Sequence, residues 1–383
     1  MKPIYVDHAA STPVHPEVAG VMLKIMTEQF GNASSVHSFG RAAKKIINGA
    51  RDVIASSLGC SPEEWVFTSG GTESDNLALF GAAASSSDKG KHIITTKIEH
   101  HAVLHTCEVL EKEGYSVTYL PVDRTGLVSV EDVREAIRPD TVLISVMFAN
   151  NEIGTVQPIV EIGDLAKSMG ILFHVDAVQV LGILPITLRD IPVDYMSFSA
   201  HKINGPQGIG GLYARRGAPI HPRQHGGLQE RGRRAGTENL AGAAGFAKAV
   251  ELAVQGLPQR QENAILLRQK LLQELDQRIG SESYAINGNP NFYLPNILNL
   301  SFPKVRTDVM LMNLDMEQIS AASGSACTSG SLEISHVLKA MGLPADLLES
   351  AIRFSMGLGN TSEQMVYVAE QIETILKRLR NRD

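Results

Sequence analysis

The feature that most constrains the fold is a regular alternation of short apolar runs and helical patterns from about residue 60 to residue 177. The strand-like runs are WVFTS (65–69), HIITT (92–96), SVTYLPV (116–122), TVLISVMF (141–148) and FHVDA (173–177). Helical spacing lies between them, at 72–84, 101–114, 129–139 and 158–170. Such alternation forms βαβ units, so the sequence predicts an α/β fold with a mostly parallel central sheet covered by helices.

The pattern changes after Gly256. A long charged helix is predicted at 258–279, a strand at 297–302 and a last amphipathic helix at 362–380. The 383 residues also exceed the roughly 250–300 residues at which a single core stops growing. We therefore predict two domains, which are a large domain of residues 15–256 and a smaller α+β domain of residues 1–14 and 257–383.

Charge and hydropathy exclude several classes of partner. The formal net charge is -6 with both signs mixed along the chain, so no overall attraction to nucleic acid or to an anionic membrane is expected. The one basic cluster lies at 223–234. The chain starts without an apolar signal core and contains no run of membrane-span length, which predicts a cytoplasmic protein.

Three cysteines, Cys60, Cys107 and Cys327, stand far apart and form no C-x-x-C pair. This count supports neither a disulfide framework nor a zinc site, and no metal is expected. Cys327 stands in the polar, glycine-rich stretch SGSACTSGSLE (323–333), whereas a cysteine kept for packing is usually surrounded by apolar residues. An idle thiol and a functional thiol both remain open for this residue.

Ligands of open α/β sheets bind beyond the carboxyl ends of the strands, so the residues that follow each strand are candidates for a site. Gly71 and Thr72 follow the first strand at a helix start, where N–H groups favour a phosphate, although an ordinary turn also fits. His100 follows the second strand and is either a ligand contact or a helix cap. Asn150 follows TVLISVMF and is either a ligand contact or part of a polar loop.

Two further strand ends carry charged residues. Asp176 ends FHVDA with Gln179 one turn later, and a buried carboxylate there needs a cationic partner, such as a protonated ligand nitrogen. In FSAHKINGPQGIG, Ser199, His201 and Lys202 precede a glycine-rich turn. A lysine on such a turn is either a surface residue or a Schiff-base lysine.

Together these residues match the groups that pyridoxal 5'-phosphate requires. Lys202 would hold the aldehyde and Asp176 the pyridinium nitrogen. Thr72, Ser199 and His201 would hold the phosphate, while the His100 ring would stack on the cofactor.

The chain resembles cysteine desulfurases of the NifS/IscS type, in the class V aminotransferase group of fold-type I pyridoxal-phosphate enzymes. The resemblance covers nearly the whole chain and rests on these motifs: FGNASSVHSFG (30–40), FTSGGTESDN (67–76), EHHAV (99–103), ANNEIGT (149–155), HVDAVQ (174–179), SAHKINGPQGIG (199–210), RRAGTEN (233–239), SGSACTSGSLE (323–333) and IRFSMG (352–357).

The resemblance implies roles for the residues at these positions. Lys202 would carry the cofactor and act as the base, and His100 would be a catalytic residue that stacks on the ring and moves protons. Gln179 would reach the ring hydroxyl, and Gly71 would join the phosphate cup. Asn150 would contact cofactor and substrate, and Arg353 would bind the substrate carboxylate, for which a guanidinium fork is suited. Thr237 would reach the phosphate of a neighbouring subunit, which implies a homodimer.

The implied reaction uses the Cys327 thiolate. It would attack the sulfur of L-cysteine, giving L-alanine and a persulfide that passes to an iron–sulfur scaffold or another sulfur acceptor protein. An ordinary thiol with a pKa of about 8.5 is mostly protonated at neutral pH, so the site must favour the thiolate. Residues 323–333 are expected to be mobile, because the thiol must both reach the cofactor and deliver sulfur.

Two rival functions remain. A class V aminotransferase or a selenocysteine lyase would keep the cofactor, but an aminotransferase would not need Cys327. A scaffold or RNA-binding relative without activity would use the basic cluster at 223–234 instead. The net charge of -6 and the presence of Lys202, Asp176 and Cys327 argue against this reading.

Overall fold

The computed structural model describes residues 3–324 and 334–380. Its strands are β1 (Ile4–Tyr5), β2 (Trp65–Thr68), β3 (His92–Thr96), β4 (Ser116–Leu120), β5 (Thr141–Ser145), β6 (Leu172–Asp176), β7 (Tyr195–Ser199), β8 (Gly210–Ala214), β9 (Ala285–Asn287), β10 (Ile297–Ser301), β11 (Ile319–Ser320) and β12 (Ala351–Ser355). Its α-helices are α1 (Pro16–Glu28), α2 (Ser38–Leu58), α3 (Gly71–Ser85), α4 (His101–Lys112), α5 (Val130–Ala136), α6 (Ile159–Ser168), α7 (Leu240–Gln255), α8 (Leu257–Ile279), α9 (Thr307–Met316), α10 (His336–Ala340), α11 (Ala345–Leu348) and α12 (Ser362–Arg380).

The central sheet has seven strands in the order β2-β8-β7-β6-β5-β3-β4. All neighbouring pairs from β7 to β4 are parallel, and only β8 runs antiparallel to its neighbours β2 and β7. The predicted mostly parallel sheet is therefore confirmed. The carboxyl ends of β3, β5, β6 and β7 meet at one edge, and His100, Asn150, Asp176 and Lys202 follow or end these strands.

Alternate residues of this sheet enter two separate apolar layers, as the period of two in a strand requires. Trp65 and Phe198 point to the layer that also contains α2 and α7, while Val66 and Tyr195 point to the layer under α3 and α4. Trp65 is fully buried, and its ring lies so close to Gly211 that a Cβ there would be 2.0 Å from the indole. Both faces of the sheet are thus covered, as the sequence predicts.

The remaining strands build two small sheets. β9, β10 and β12 form an antiparallel sheet, and β1 pairs with β11 in parallel. Residues of β1, β10, β12, α8 and α12 share a second apolar core. This arrangement agrees with assigning the chain's start and its last third to one unit, and the domain limits stay a prediction. Within the described ranges, no helix is long and apolar enough to cross a membrane.

Candidate active site

Lys202 ends a short 3₁₀ turn that directly follows β7. The backbone then reverses at Asn204, whose φ of 66° lies in the left-handed region. The Lys202 ammonium donates to the carbonyl oxygens of Ala9 and Ala10, at 2.5 and 2.9 Å. The N-terminal segment is tied to the same turn, because the Thr12 hydroxyl donates to the carbonyl of His201 at 2.7 Å.

Two predicted cofactor residues share this N-terminal segment with the lysine. The Gln179 amide donates to Ala9 O at 3.0 Å, which is the oxygen that Lys202 also contacts. The Nδ1 atom of His201 lies 3.3 Å from the Ser11 hydroxyl. Burial, reinforced by the Lys202 charge, lowers the pKa of His201 to about 4, so its imidazole is neutral at physiological pH.

Asp176 lies at the end of β6, buried to 7% exposure. Its Oδ1 accepts the Val178 N–H at 2.9 Å. Burial raises the pKa of Asp176 to about 7, with a contribution from the Asp75 carboxylate, while the charge of Lys202 acts in the opposite direction. A carboxylate in this position is stabilised as an anion by a cation placed against it.

Gly70 and Gly71 bring the N-terminus of α3 close to β7. A Cβ on Gly71 would lie 2.6 Å from a Val178 methyl and 3.8 Å from the Cβ of Ser199, so the backbone approaches both neighbours closely. The first N–H groups of an α-helix have no partner within the helix and favour an anion. Ser199 is buried beside this helix end and Thr72 is exposed.

His100 caps α4, as one of the two sequence interpretations predicts. Its Nδ1 accepts the Ala102 N–H at 3.1 Å. Burial lowers the pKa of His100 to about 4, and the charge of Lys202 is the next cause. The ring is therefore neutral and near the lysine, which leaves stacking on a cofactor as a prediction beside the observed cap.

Asn150 is fully buried, and both ends of its amide bind within the chain. Its Nδ2 donates to Ile98 O at 2.9 Å, while its Oδ1 accepts the N–H groups of Glu152 and Ile153 at 2.8 and 3.1 Å. Asn150 thus shapes the loop after β5. Its direct contact with cofactor or substrate remains a prediction.

Arg353 is buried in β12 with 2% exposure. Its guanidinium donates to Asp7 Oδ1 at 2.8 Å and to Asn151 O at 2.9 Å. Its Nε atom is buried without a hydrogen-bond partner among the described residues. The guanidinium is therefore oriented by two neighbours, and its Nε–H is available to a further acceptor.

The structure does not bring the last two predicted residues into this cluster: one lies elsewhere and the other is not described. Thr237 is exposed, and Cys327 lies outside the described residues, as does the prediction of mobility for its segment. Of the described cysteines, burial raises the pKa of Cys60 to about 12 and also raises that of Cys107, which suits packed thiols and not nucleophiles.

Sequence reasoning missed several groups that complete the site. Asp7 and Ala9 come from the N-terminus and reach Arg353 and Lys202, a contact that no local pattern indicates. Glu99 is also missed. It is fully buried, and burial raises its pKa to about 8. The signal that could have indicated Glu99 is an acidic residue three positions after β3 and next to His100.

Comparison with known proteins gives the family. The profile of the aminotransferase class-V family matches residues 4–368. The chain belongs to the class-V aminotransferase family. The resemblance inferred from the motifs is thereby confirmed.

Individual relatives are similar over almost their whole length. Cysteine desulfurase IscS of Methanosarcina thermophila is 49% identical over 380 residues, which cover 99% of this chain and 93% of the relative. A solved NifS-like protein superimposes with a TM-score of 0.93 at 39% identity, covering 98% of this chain and all of the other. A structure of SspA in complex with cysteine gives a TM-score of 0.80 at 38% identity, covering 92% of this chain and 99% of that one.

Class-V aminotransferases are pyridoxal-phosphate enzymes, and the residues present fit that cofactor. Asp176 is a buried carboxylate that lacks a salt-bridge partner among the described residues. A carboxylate in this state can accept a pyridinium nitrogen when the cofactor binds. The N-terminus of α3 beside Ser199 offers N–H donors for a phosphate. Lys202 supplies the amine within electrostatic reach of both Asp176 and His100.

Proposed function

We propose that this chain is a pyridoxal-phosphate-dependent cysteine desulfurase that converts L-cysteine to L-alanine and leaves the sulfur as a persulfide on Cys327. The observation that carries the proposal is the meeting of Lys202, Asp176 and His100 at one sheet edge, with Arg353 from β12 turned towards the loop after β5. The similarity to cysteine desulfurases over nearly the whole chain supports the same reaction.

Besides Lys202, side chains at the sheet edge and the start of α3 would hold the cofactor. Asp176 would pair with the ring nitrogen, Ser199 and the start of α3 would hold the phosphate, and the His100 ring would cover the cofactor. Gln179 would orient the ring through its amide. Pyridoxal phosphate, when bound, supplies an electron sink for the charge that develops at the substrate α-carbon.

Lys202 would move the α-proton. Its amine is already directed by the carbonyl groups of Ala9 and Ala10, so the side chain has a defined position close to the buried edge. His100, whose lowered pKa leaves its imidazole neutral, would be a second group near Lys202 that can exchange a proton.

Arg353 would bind the substrate carboxylate, with Asn150 shaping the loop beside it. Cys327 would then act as the nucleophile. The bond between the substrate β-carbon and its sulfur breaks, a sulfur–sulfur bond forms on Cys327, and protons complete L-alanine. One cysteine and one thiol thus give one alanine and one persulfide, and no further oxidant is needed.

The homodimer and the sulfur acceptor belong to the same proposal. Exposed apolar side chains on and between α1 and α2 support a subunit contact there, because such patches mark interfaces; they are Leu23, Met26, Phe30, Val36 and Phe39. Thr237 would reach the partner's phosphate site from its exposed position. The persulfide would pass to an iron–sulfur scaffold or another acceptor in the cytoplasm.

The test is product analysis with L-cysteine and a thiol reductant, measuring alanine and sulfide. We expect both products in equal amounts from the wild type and from Cys60→Ala, a matched thiol control, and neither from Lys202→Ala or Cys327→Ala. Alanine formation by Cys327→Ala at the wild-type rate would overturn the desulfurase proposal. Comparison of L-cysteine with L-selenocysteine in the same assay separates the lyase alternative.

A further inference from the structure

Both ends of the segment that contains Cys327 contact one buried carboxylate. Residues 325–333 are bordered by two stems, Ala322–Gly324 and Ile334–His336. The Ser335 hydroxyl donates to Oε2 of Glu152 at 2.5 Å. The same oxygen would lie 2.7 Å from a Cβ placed on Gly324, so the first stem passes directly against it.

Glu152 is itself fixed in place. It is 2% exposed, its N–H donates to Asn150 Oδ1 at 2.8 Å, and its carbonyl oxygen accepts from the Asn299 amide at 3.2 Å. Gly324 has a φ of +87°, a conformation that glycine adopts without strain. Glycine is thus required at this position both for its backbone angle and for the space that Glu152 occupies.

The first stem is also bound to the strand of the predicted substrate arginine. The Ala322 N–H donates to Arg353 O at 3.2 Å, and the Arg353 N–H donates to Ala322 O at 2.7 Å. Burial raises the pKa of Glu152, while the Ser335 hydroxyl and the nearby Arg353 charge act in the opposite direction, so Arg353 lies within electrostatic reach of this carboxyl group. The stem before the Cys327 segment is therefore held beside Arg353.

The second stem is bound to the segment that carries His100. Ser335 caps α10 by accepting the Leu338 N–H at 3.2 Å, and His336 Nε2 donates to Glu99 O at 2.9 Å. The His336 ring also lies 4.8 Å from the ring of His101, measured between centroids. The stem after the Cys327 segment is therefore held beside the residues that flank His100.

We propose that Glu152 is a positioning residue for Cys327. By contacting both Gly324 and Ser335, the Glu152 carboxylate forms a clamp that sets where the thiol segment begins and ends relative to Arg353 and His100. This inference rests on the proposed function for its kinetic consequence. The clamp itself depends only on contacts among described residues. A small error in the placement of reacting groups costs about 10²-fold in rate, so a clamp at the stems has a measurable effect.

The kinetic test compares Glu152→Ala with Glu152→Gln in the cofactor-loaded enzyme. Two rates are measured after the enzyme is mixed with L-cysteine. The first is the rate at which the cofactor absorption changes, and the second is the rate at which persulfide appears on the Cys327 peptide, followed by mass spectrometry. We expect Glu152→Ala to keep the absorption change within about twofold and to lose about 10- to 100-fold in persulfide formation. Glu152→Gln keeps an acceptor for Ser335 and should recover most of that loss. Persulfide formation by folded Glu152→Ala at the wild-type rate would overturn the proposal.

A second pair of variants decides the matter if Glu152→Ala does not fold. Ser335→Ala removes a helix cap and the bond to Glu152, whereas Ser129→Ala removes only a cap, because the Ser129 hydroxyl binds N–H groups of α5. We expect slower persulfide formation for Ser335→Ala alone. Equal rates in these two variants would contradict the clamp.

Hydrogen exchange separates failure of this inference from failure of the proposed function. Without substrate, Glu152→Ala should exchange faster than the wild type at 319–324 and at 334–340 together, with β6 unchanged. Unchanged exchange at both stems would refute the clamp even if the enzyme is a desulfurase. Faster exchange combined with no persulfide in the wild type would refute the proposed function and retain the clamp.

Discussion

The two halves of the candidate site are built in different ways. The cofactor side, which comprises Gly71, His100, Asp176, Ser199 and Lys202, lies at strand ends and helix starts of one sheet. The thiol side, which comprises Glu152, Gly324, Ser335 and Arg353, joins the loop after β5 to two distant stems and to a strand of another sheet. The cofactor side is therefore placed by the topology of one sheet, whereas the thiol side is placed by a few long-range contacts, which are the side-chain contacts of Glu152 and the backbone pairing of Ala322 with Arg353.

The largest effect should come from the cofactor side. In the proposed mechanism Lys202→Ala would remove both the amine that holds the cofactor and the base, and loss of a general base alone costs about 10²–10⁴-fold. We expect alanine formation to fall by at least that factor, together with loss of the protein's visible cofactor absorption. Retention of that absorption and of activity would show that another residue carries the cofactor.

A smaller effect is expected on the thiol side. Arg353→Lys keeps the positive charge but loses the fork that contacts Asp7 and Asn151 O. We expect the KM for L-cysteine to rise about tenfold with kcat changed less, because uniform substrate binding is lost. Arg268→Lys is the matched control, since the Arg268 guanidinium donates to Ile297 O and not to Asp7 or Asn151. A KM equal to that of the control would argue against a substrate contact.

The smallest effect is a pH dependence on the cofactor side. In the folded chain the pKa of His100 is lowered from 6.5 to about 4, so the unfolded chain binds more protons between these values. The free energy of unfolding contributed by His100 is therefore lost as pH falls from about 6.5 towards 4, by about 1.4 kcal/mol per pH unit at most. The free energy of unfolding is measured with urea on cofactor-free protein at about pH 7 and about pH 5.5. Between these two pH values it should fall by about 1 kcal/mol less in His100→Gln than in the wild type. An unchanged pH dependence would place His100 in a solvated environment.

The difference between the cofactor side and the thiol side also explains how much of the site could be predicted from the sequence. The strands and helices around Asp176 and Lys202 follow from local alternation, and their meeting at one edge follows from parallel pairing. The sequence did not indicate that Ala9 would bind Lys202 or that Asp7 would bind Arg353, because those contacts join residues nearly 200 or more positions apart. Glu152 was visible only as part of a motif, since nothing local shows which distant stems its carboxylate contacts.

One measurement tests most directly whether the two sides form a single desulfurase site. Cofactor-loaded protein is mixed with excess L-cysteine without reductant, and alanine and the persulfide state of each cysteine peptide are quantified in the first turnover. We expect one alanine per chain, with sulfur on Cys327 and none on Cys60 or Cys107, and no burst of alanine from Cys327→Ala. A full burst from Cys327→Ala, or sulfur on Cys60 instead, would contradict it.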